Sequence, residues 1–440
     1  MPGFHDFLHD TSAADLPDEV LALGRRWLLD LLGVAAGGSR TSLSRIIRNH
    51  AAEHFAAGSK GAAMLMDGRR VSPAGAALAG GMTIDSLDGH DGHKLTKGHV
   101  GCGLLPALLA ISQAEGLTDD REFLASLVLG YEIGTRAGIA LHRTASDYHT
   151  SGAWIAVAVA ALTARLLGLD HARTRHAIGI AEYHGPRSQM MRCIDHPTML
   201  KDGSGWGAMA GVSAGYLAAD GFTGAPAITV EAEDTADLWS DLGERWRIAE
   251  QYFKLWPVCR WAQPPVQAAL NLRAEHGLTS EQVERIEIVT FHQSLRLAIR
   301  EPATTEEAQY STAYPTAVAL ARGRVDPADI AGESFADPEI RRLAASITIT
   351  ENEDYNAAFP HRRIADLRLV MRDGRVLTSG PTEAIGDPEA PVPMAMLRGK
   401  YRAYALPVLG ETATADLEQA VDRLGDGSGT ERFFGLAGRR

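Results

Sequence analysis

The spacing of apolar residues changes near Pro257, and this change limits the folds that the chain can adopt. Before it, apolar residues recur at helical spacing in segments such as "LPDEVLALGRRWLLDLLGVAAGG", which has Pro17 and two acids in its first turn and Gly37-Gly38 at its end. After it, "EQVERIEIVTF" and "ASITITENEDY" alternate apolar and polar residues, as half-buried strands do. The sequence therefore predicts two regions of different construction.

The first region is predicted to be wholly helical. The segments "SPAGAALAGGMTI", "CGLLPALLAISQAEG" and "TDDREFLASLVLGYEIGTRAGIAL" repeat the helical spacing, and Thr118 is the expected N-cap of the last one. The helix in the second of them is expected to begin near Leu104, with Pro106 in its first turn. Frequent alanine and glycine indicate that these helices approach one another closely.

The second region is predicted to be α+β. The segment "IADLRLVMRDGRVLTSG" is typical of a hairpin with its turn at Asp373-Gly374, and "TAYPTAVALARG" has helical spacing. Four prolines then precede "MAMLRGKYRAYALPVLG", which has helical spacing again. We therefore predict a mainly α protein with a large, discontinuous all-helical domain at 1–264 and 386–440, and a smaller α+β lid domain at 265–385.

Composition excludes some partners. At 440 residues with a net charge of −12, the chain is long enough for two domains and too acidic for nucleic acid to be a main partner, although a small anionic substrate can bind a local cationic pocket. The three cysteines have neither disulfide nor metal spacing, and the first residues lack a signal-peptide pattern. The most apolar run, "AWIAVAVAALTARLLGL", is shorter than the roughly 20 residues that span a bilayer. We expect a cytoplasmic protein without a membrane partner.

One glycine-rich stretch gathers many groups that exchange protons. Glycines between Asp85 and Gly103 prevent a regular helix, so the stretch is predicted to be a loop whose following helix offers free N–H groups to an anion. Two other interpretations remain open. The loop can be merely solvated, or it can bind a metal, although its spacing matches no closed metal site. Its polar residues are Asp85, Asp88, His90, Asp91, His93, Lys94, Lys97 and His99.

Three further residues are candidates for the same site. His149 precedes a buried helix for which Thr150 or Ser151 is the expected cap, and an imidazole there resists protonation. Lys201 in "TMLKDGSGWGAMAG" lies before a glycine-rich turn and suits carboxylate binding or proton movement. Tyr314 lies on a helix of the second region. The plainer alternatives are a surface histidine, a solvated lysine and a core tyrosine.

Taken together, these motifs resemble the MmgE/PrpD family, which includes 2-methylcitrate dehydratase, cis-aconitate decarboxylase and iminodisuccinate epimerase. The similarity extends from "LLDLLGVAAGG" to "GDPEAPVPMAMLRGKY", nearly the whole chain. It is carried by the motifs "DSLDGHDGHKLTKGHVG" followed by "LLPALLA", "YHTSGAW", "TMLKDGSGWGAMAG", "WPVCRW" and "TTEEAQYSTAYPTAVAL".

The resemblance implies a helical domain, a smaller α+β lid domain, a site between them and a homodimer. We expect neither a cofactor nor a metal. The catalytic residues that the resemblance implies are Asp88, His99, His149, Lys201 and Tyr314. The substrate-binding residues that we expect are Asp91, His93, His149, Lys201, Arg260 and Gln263. In the resulting hypothesis Lys201 and His149 hold the substrate carboxylates, and Asp88 orients His99. His99 then exchanges the proton, with Tyr314 as an acid on the opposite face.

The chain departs from the family pattern at two positions. Gly92 replaces the threonine that the decarboxylases place four residues after the aspartate, and the spacing to His99 is one residue longer. Gln263 stands where several members have a histidine, which removes one proton donor. We therefore expect a hydro-lyase that removes a proton next to a carboxylate of a small di- or tricarboxylate, such as a methylcitrate- or aconitate-like acid.

Other reactions of the same site stay open. An iminodisuccinate-type epimerase and a cis-aconitate-type decarboxylase share the first proton transfer. A non-catalytic carboxylate-binding protein and a metal-dependent hydrolase are the more distant alternatives.

Overall fold

A computed structural model of the chain describes residues 2–439. Helices account for 60% of the protein and the strands form small sheets, which confirms the prediction of a mainly α protein with a smaller α+β region. The boundaries at 264 and 385 stay predictions.

Eleven α-helices lie before Pro257 in the described part of the chain. They are α1 Pro2–Asp10, α2 Asp18–Gly38, α3 Ser42–His54, α4 Pro73–Asp85, α5 Gly101–Ala114, α6 Asp120–Thr144, α7 Gly152–Leu166, α8 His171–His184, α9 Met190–Asp195, α10 Ser204–Ala219 and α11 Ile228–Glu231. Those that follow are α12 Gln263–His276, α13 His292–Leu295, α14 Thr305–Gln309, α15 Ala313–Arg322, α16 Pro338–Ala345, α17 Glu353–Ala358, α18 Met394–Arg423 and α19 Glu431–Ala437.

In residues 2–439 the strands form two short pairs and one five-stranded sheet. They are β1 Ala62–Ala63, β2 Arg70–Val71, β3 Gly92–His93, β4 Gln251–Tyr252, β5 Val283–Thr290, β6 Ile347–Glu351, β7 Ile364–Met371, β8 Val376–Thr378 and β9 Thr382–Glu383. The larger sheet has the order β6-β5-β7-β8, with β9 also paired to β7. Only the β5–β6 pair is parallel. The predicted hairpin is β7–β8, and its turn is closed by the Gly374 N–H, which donates to the Met371 carbonyl.

Close helix packing brings the loop after α4 next to the turn before α10. Helix α10 packs against α4, α7 and α8. A Cβ atom added to Gly81 would stand 2.6 Å from the Cα of Gly205, so the backbones of α4 and α10 are in direct contact. Since α4 ends at Asp85 and α10 begins at Ser204, the contact holds the loop after α4 beside the turn before α10.

The C-terminal helix α18 returns to pack against α2. Lys400 of α18 forms a buried ion pair with Asp30 of α2 at 2.7 Å, and its Nζ also donates to the carbonyl of Gly89. The last helices of the chain therefore support the loop that carries the candidate site. A kink at Gly410, with φ 76° and ψ 170°, divides α18.

Two helix starts differ from the prediction. The N-cap of α6 is Asp119, whose side chain accepts from the N–H of Arg121, while the carbonyl of Thr118 accepts from Thr430. Helix α5 begins at Gly101 rather than near Leu104, because the carbonyl of Val100 already accepts from the N–H of Leu104.

Within residues 2–439, one helix is long and apolar enough to cross a membrane, namely α6. The whole of its apolar window is buried inside the fold. Burial of this kind is typical of a core helix.

Candidate active site

The loop of residues 86–100 is largely buried rather than solvated. Its strand β3 pairs antiparallel with β4, so that Gly92 faces Tyr252. Asp88 and Lys97 adopt left-handed backbone conformations with φ of 52° and 51°. Aspartate tolerates this conformation better than most non-glycine residues, whereas lysine adopts it rarely. At Lys97 the loop is therefore held in a conformation that its own residue does not favour.

His99 is fixed with one ring nitrogen occupied and the other free. Its Nδ1 lies 2.6 Å from the main-chain carbonyl oxygen of Asp91, which can only accept, so Nδ1 carries the proton and donates. Nε2 faces Asp202 Oδ2 at 3.7 Å. Burial, aided by the nearby charge of Lys254, lowers the pKa of His99 to about 3. His99 is a neutral imidazole with an available lone pair.

Asp88 forms a buried ion pair with Lys254. The Nζ of Lys254 lies 2.5 Å from Asp88 Oδ1 and donates to the Asp88 carbonyl at 3.0 Å. Burial opposes ionisation of Asp88, but the charges of Lys254 and Lys201 outweigh it and lower the pKa of its carboxyl group. Asp88 is therefore an anion that holds Lys254, while the orienting contact on His99 comes from Asp91.

Asp202 is a second carboxyl group beside His99, and it differs from Asp88. The hydroxyl of Ser151 donates to its Oδ2, and Oδ1 is buried without a partner. Burial and the charge of Asp85 raise the pKa of Asp202 to about 7. Ser151 Oγ also accepts from the N–H of His99 at 2.9 Å, so one hydroxyl links the two groups. Asp202 can hold or release a proton near neutral pH.

Lys201 lies at the other end of the same group. Its side chain is 1% exposed, and its Nζ donates to Gln309 Oε1 and lies 4.5 Å from the centre of the Tyr310 ring. Gln309 is held in turn by the bond from its Nε2 to the carbonyl of Ser86 at 3.0 Å. Lys201 also has a left-handed backbone, with φ of 50°. It joins the loop of the helical body to the start of the α+β region.

Ligand atoms of Asp88, His90 and His99 lie within 4.8 Å of one another, which is close enough to raise the question of a metal. Lys254 already pairs with Asp88 Oδ1, and the charges of Lys254 and Lys201 also act on both histidines. A divalent cation at this position would be repelled by two lysines. The cluster suits a proton-transfer site better than a metal site.

A cleft of about 370 Å³ opens next to Lys201. Thr150, Cys193 and Gly203 lie along it, together with the exposed side chains of Arg192 and His196. Lys201 is itself one of the lining residues, and the cleft is large enough for a small anion.

Two of the predicted catalytic residues lie apart from this cluster. His149 is buried beside His142, whose Nε2 accepts from the His149 N–H, and His149 Nδ1 has no partner. Its neighbour Thr150 is among the residues that line the cleft, but His149 is not. The Tyr314 hydroxyl donates to the carbonyl of Asp329 at 3.0 Å. Tyr310, four residues earlier, occupies the place beside Lys201.

The predicted substrate-binding residues are largely engaged in internal contacts. His93 Nε2 lies 2.9 Å from Glu250, and the Asp91 carboxyl group accepts from Tyr131. Arg260 donates to the carbonyls of Phe253, Ala384 and Ile385 and to Asp387. Both nitrogen donors of Gln263 are used by the carbonyls of Trp256 and Val258. The structure gives Arg260 and Gln263 positions that hold the chain together.

Several residues at or near the site were missed by the sequence analysis, among them Lys254, Asp202 and Arg363. Lys254 lies in the apolar run "YFKLWP", where a lone charge is itself a signal, and Asp202 is adjacent to the predicted Lys201. Arg363 precedes strand β7, and its guanidinium nitrogens are buried without a partner. Nothing in the local sequence separates Arg363 from its exposed neighbour Arg362.

Comparison with known proteins gives two family-model matches. The MmgE/PrpD N-terminal domain matches residues 3–243, and the MmgE/PrpD C-terminal domain matches residues 256–426.

Three relatives illustrate the similarity. The cis-aconitate decarboxylase of Mus musculus is 24% identical over 455 residues, which is 96% of this chain and 90% of that protein. The cis-aconitate decarboxylase of Homo sapiens is 23% identical, covering 96% and 91% of the two chains. The cis-aconitate decarboxylase-like protein oryM of Aspergillus oryzae is 27% identical over 244 residues, which is 50% of this chain and 46% of that protein. Because the two family models together account for most of its length, the chain belongs to the MmgE/PrpD family.

Proposed function

We propose that the protein is a lyase that removes a proton from the carbon next to a carboxylate in a small di- or tricarboxylate, and that it acts as a hydro-lyase. The family membership and the named relatives support an enzyme of the lyase type. The observation that carries the proposal is His99, a neutral buried imidazole whose free Nε2 stands beside Asp202.

The proposed reaction begins with transfer of the carbon-bound proton to Nε2 of His99. The electron pair left behind moves into the neighbouring carboxylate, and Lys201 and Lys254 stabilise the added negative charge. The β-hydroxyl group then leaves, takes the proton of Asp202 and departs as water, which forms the double bond. The His99 proton returns to Asp202 and restores both groups.

Decarboxylation is the second candidate, and the names of the two full-length relatives favour it. Gln263 argues against it, since it replaces the histidine of several members and its amide nitrogen is held by two carbonyls. It has no proton to give to a carbanion after CO₂ is lost. An epimerase would need a second proton donor facing His99 across the substrate.

The test is incubation of the purified protein with citrate, 2-methylcitrate, cis-aconitate and iminodisuccinate. Double-bond absorbance, CO₂ release and optical rotation distinguish the three reactions. His99→Gln should abolish the reaction, whereas His184→Gln, at an exposed position, should leave it unchanged. Binding of these acids without any turnover would favour the carboxylate-binding alternative and refute the proposal.

A further inference from the structure

Arg363 is a buried cation without an internal partner. Its residue is 3% exposed, and Nε, Nη1 and Nη2 all lack a hydrogen-bond acceptor among residues 2–439. Other cations near the site have internal partners: Lys254 and Arg260 pair with carboxylates, and Lys201 donates to Gln309. A buried guanidinium without a counter-ion is strongly unfavourable unless a ligand supplies the missing acceptors.

The surroundings of Arg363 supply aromatic packing, and no carboxylate among residues 2–439 forms an ion pair with it. The guanidinium carbon lies 5.3 Å from the centre of the Tyr252 ring and 5.9 Å from that of Phe359. Asp387 is within reach of its electrostatic field, but Arg260 and Lys94 already bind that carboxylate at 2.7 and 3.3 Å. The ring faces hold the guanidinium in place and leave its N–H groups unused.

A second cation, Lys97, lies within the electrostatic field of Arg363. The Nζ of Lys97 lies 4.9 Å from the centre of the Tyr148 ring, and the Tyr148 hydroxyl donates to the Lys97 carbonyl. Burial and the charge of Arg363 together lower the pKa of Lys97, so the two cations repel each other. Two neighbouring cations that share no anion are suited to bind one together.

This anion site is coupled to the proton-transfer site through Tyr252. The Tyr252 ring contacts Arg363 on the lid side and packs edge-on against the His99 ring, with 6.5 Å between ring centres. Arg363 comes from the α+β region, whereas His99 and Lys201 come from the helical body. Residues from both regions of the chain therefore lie around the Tyr252 ring.

We propose that Arg363, assisted by Lys97, binds the substrate carboxylate that lies farthest from the reacting carbon, and that the enzyme thereby selects di- and tricarboxylates over monocarboxylates. The inference rests on the proposed function and adds the residue that recognises the second carboxylate. A planar guanidinium can bind a carboxylate through two parallel N–H donors, which gives it more orientation specificity than a lysine has.

The test compares binding of an unreactive tricarboxylate, tricarballylate, with binding of succinamate, which has one carboxylate, by calorimetry. Arg363→Gln should weaken tricarballylate binding by about 10- to 100-fold and leave succinamate binding unchanged. Arg363→Lys should restore part of the loss. Arg362→Gln is the matched control, because Arg362 is exposed and pairs with Glu383, and it should bind both ligands as the wild type does.

Thermal unfolding separates recognition from a structural role. Arg363→Met removes a buried charge with no hydrogen bonds, so the Tm of the ligand-free protein should be unchanged or higher. A lower Tm, failure to fold, or tricarballylate binding within twofold of the wild type would overturn the inference. If the wild type turns over a substrate but Arg363→Gln does not weaken tricarballylate binding, this inference alone is refuted. If Arg363→Gln weakens tricarballylate binding but the wild type turns over no substrate, only the proposed lyase activity is refuted.

Discussion

Replacing Asp91 by asparagine separates the two parts of this residue. Its main-chain carbonyl orients His99, while its fully buried carboxyl group accepts from Tyr131 at 3.1 Å through Oδ1 and leaves Oδ2 without a partner. Burial and the charge of Asp30 raise the pKa of the Asp91 carboxyl to about 7. Asparagine keeps the carbonyl and the acceptor for Tyr131 but cannot ionise.

The direction of the stability effect follows from proton linkage. The folded protein binds the Asp91 proton more tightly than the unfolded chain does, so this stabilisation is complete below the unfolded pKa of 3.8 and is lost as the pH rises through about 7. The total loss corresponds to about 4 kcal/mol. When the pH rises from about 5.5 to about 8.5, the free energy of unfolding of Asp91→Asn should increase by about 2 kcal/mol relative to that of the wild type. The change is smaller than the total because Asp91 of the unfolded chain is already ionised at the lower pH.

The assay is urea unfolding followed by circular dichroism at both pH values, with Asp220→Asn as an exposed control. The control should show the same difference from the wild type at both pH values. A pH-independent difference for Asp91→Asn would refute the assignment of a raised pKa to burial. Activity of Asp91→Asn should stay close to that of the wild type. Its loss in a folded variant would show that the carboxyl group itself takes part.

Three further substitutions test the supports of the site. Lys254→Met should lower the free energy of unfolding by about 3–5 kcal/mol by leaving Asp88 unpaired, and adding Asp88→Asn should recover part of that stability. The acid limb of the pH–rate profile should move to higher pH, because Lys254 no longer lowers the pKa of His99. Ser151→Ala should lower stability by about 1–3 kcal/mol in urea unfolding and reduce kcat, since Asp202 loses its donor and the His99 N–H its acceptor. Lys400→Met should lower the free energy of unfolding by about 3–5 kcal/mol, because it leaves the buried Asp30 carboxylate without a counter-ion. Adding Asp30→Asn in the same chain should reverse most of the loss.

Local patterns predicted much of the fold because they reflect local physics. Period-two alternation located β5, β6 and the β7–β8 hairpin, and helical spacing located α2, α6 and α15. Helix ends were less predictable. Asp119 and Thr118 are both good caps, and the choice between them depends on Thr430, which takes up the Thr118 carbonyl from more than 300 residues away.

The site was predictable only where its residues are close in sequence to a loop or turn signal. Asp88, His99 and Lys201 satisfied that condition. Tyr314 lies in the first turn of α15, which begins at Ala313, and its hydroxyl donates to the Asp329 carbonyl instead of facing Lys201. Tyr310 lies before that start, and the bridge between Ala298 and Ser311 separates it from the helix. Helical spacing cannot be extended across such a break, so the tyrosine nearest Lys201 was not the predicted one.

The groups that local rules disfavour are concentrated at one place. Three of the four non-glycine residues with positive φ in residues 2–439 are Asp88, Lys97 and Lys201. Asp202 Oδ1, both ring nitrogens of His90 and the whole Arg363 guanidinium are buried without partners. Each of these features lowers the stability of the free protein, and a polycarboxylate bound between the lysines and Arg363 would supply acceptors for the Arg363 guanidinium. A substrate that pairs with these groups should therefore raise the Tm more than its size alone suggests, because it relieves an existing penalty in addition to forming new contacts.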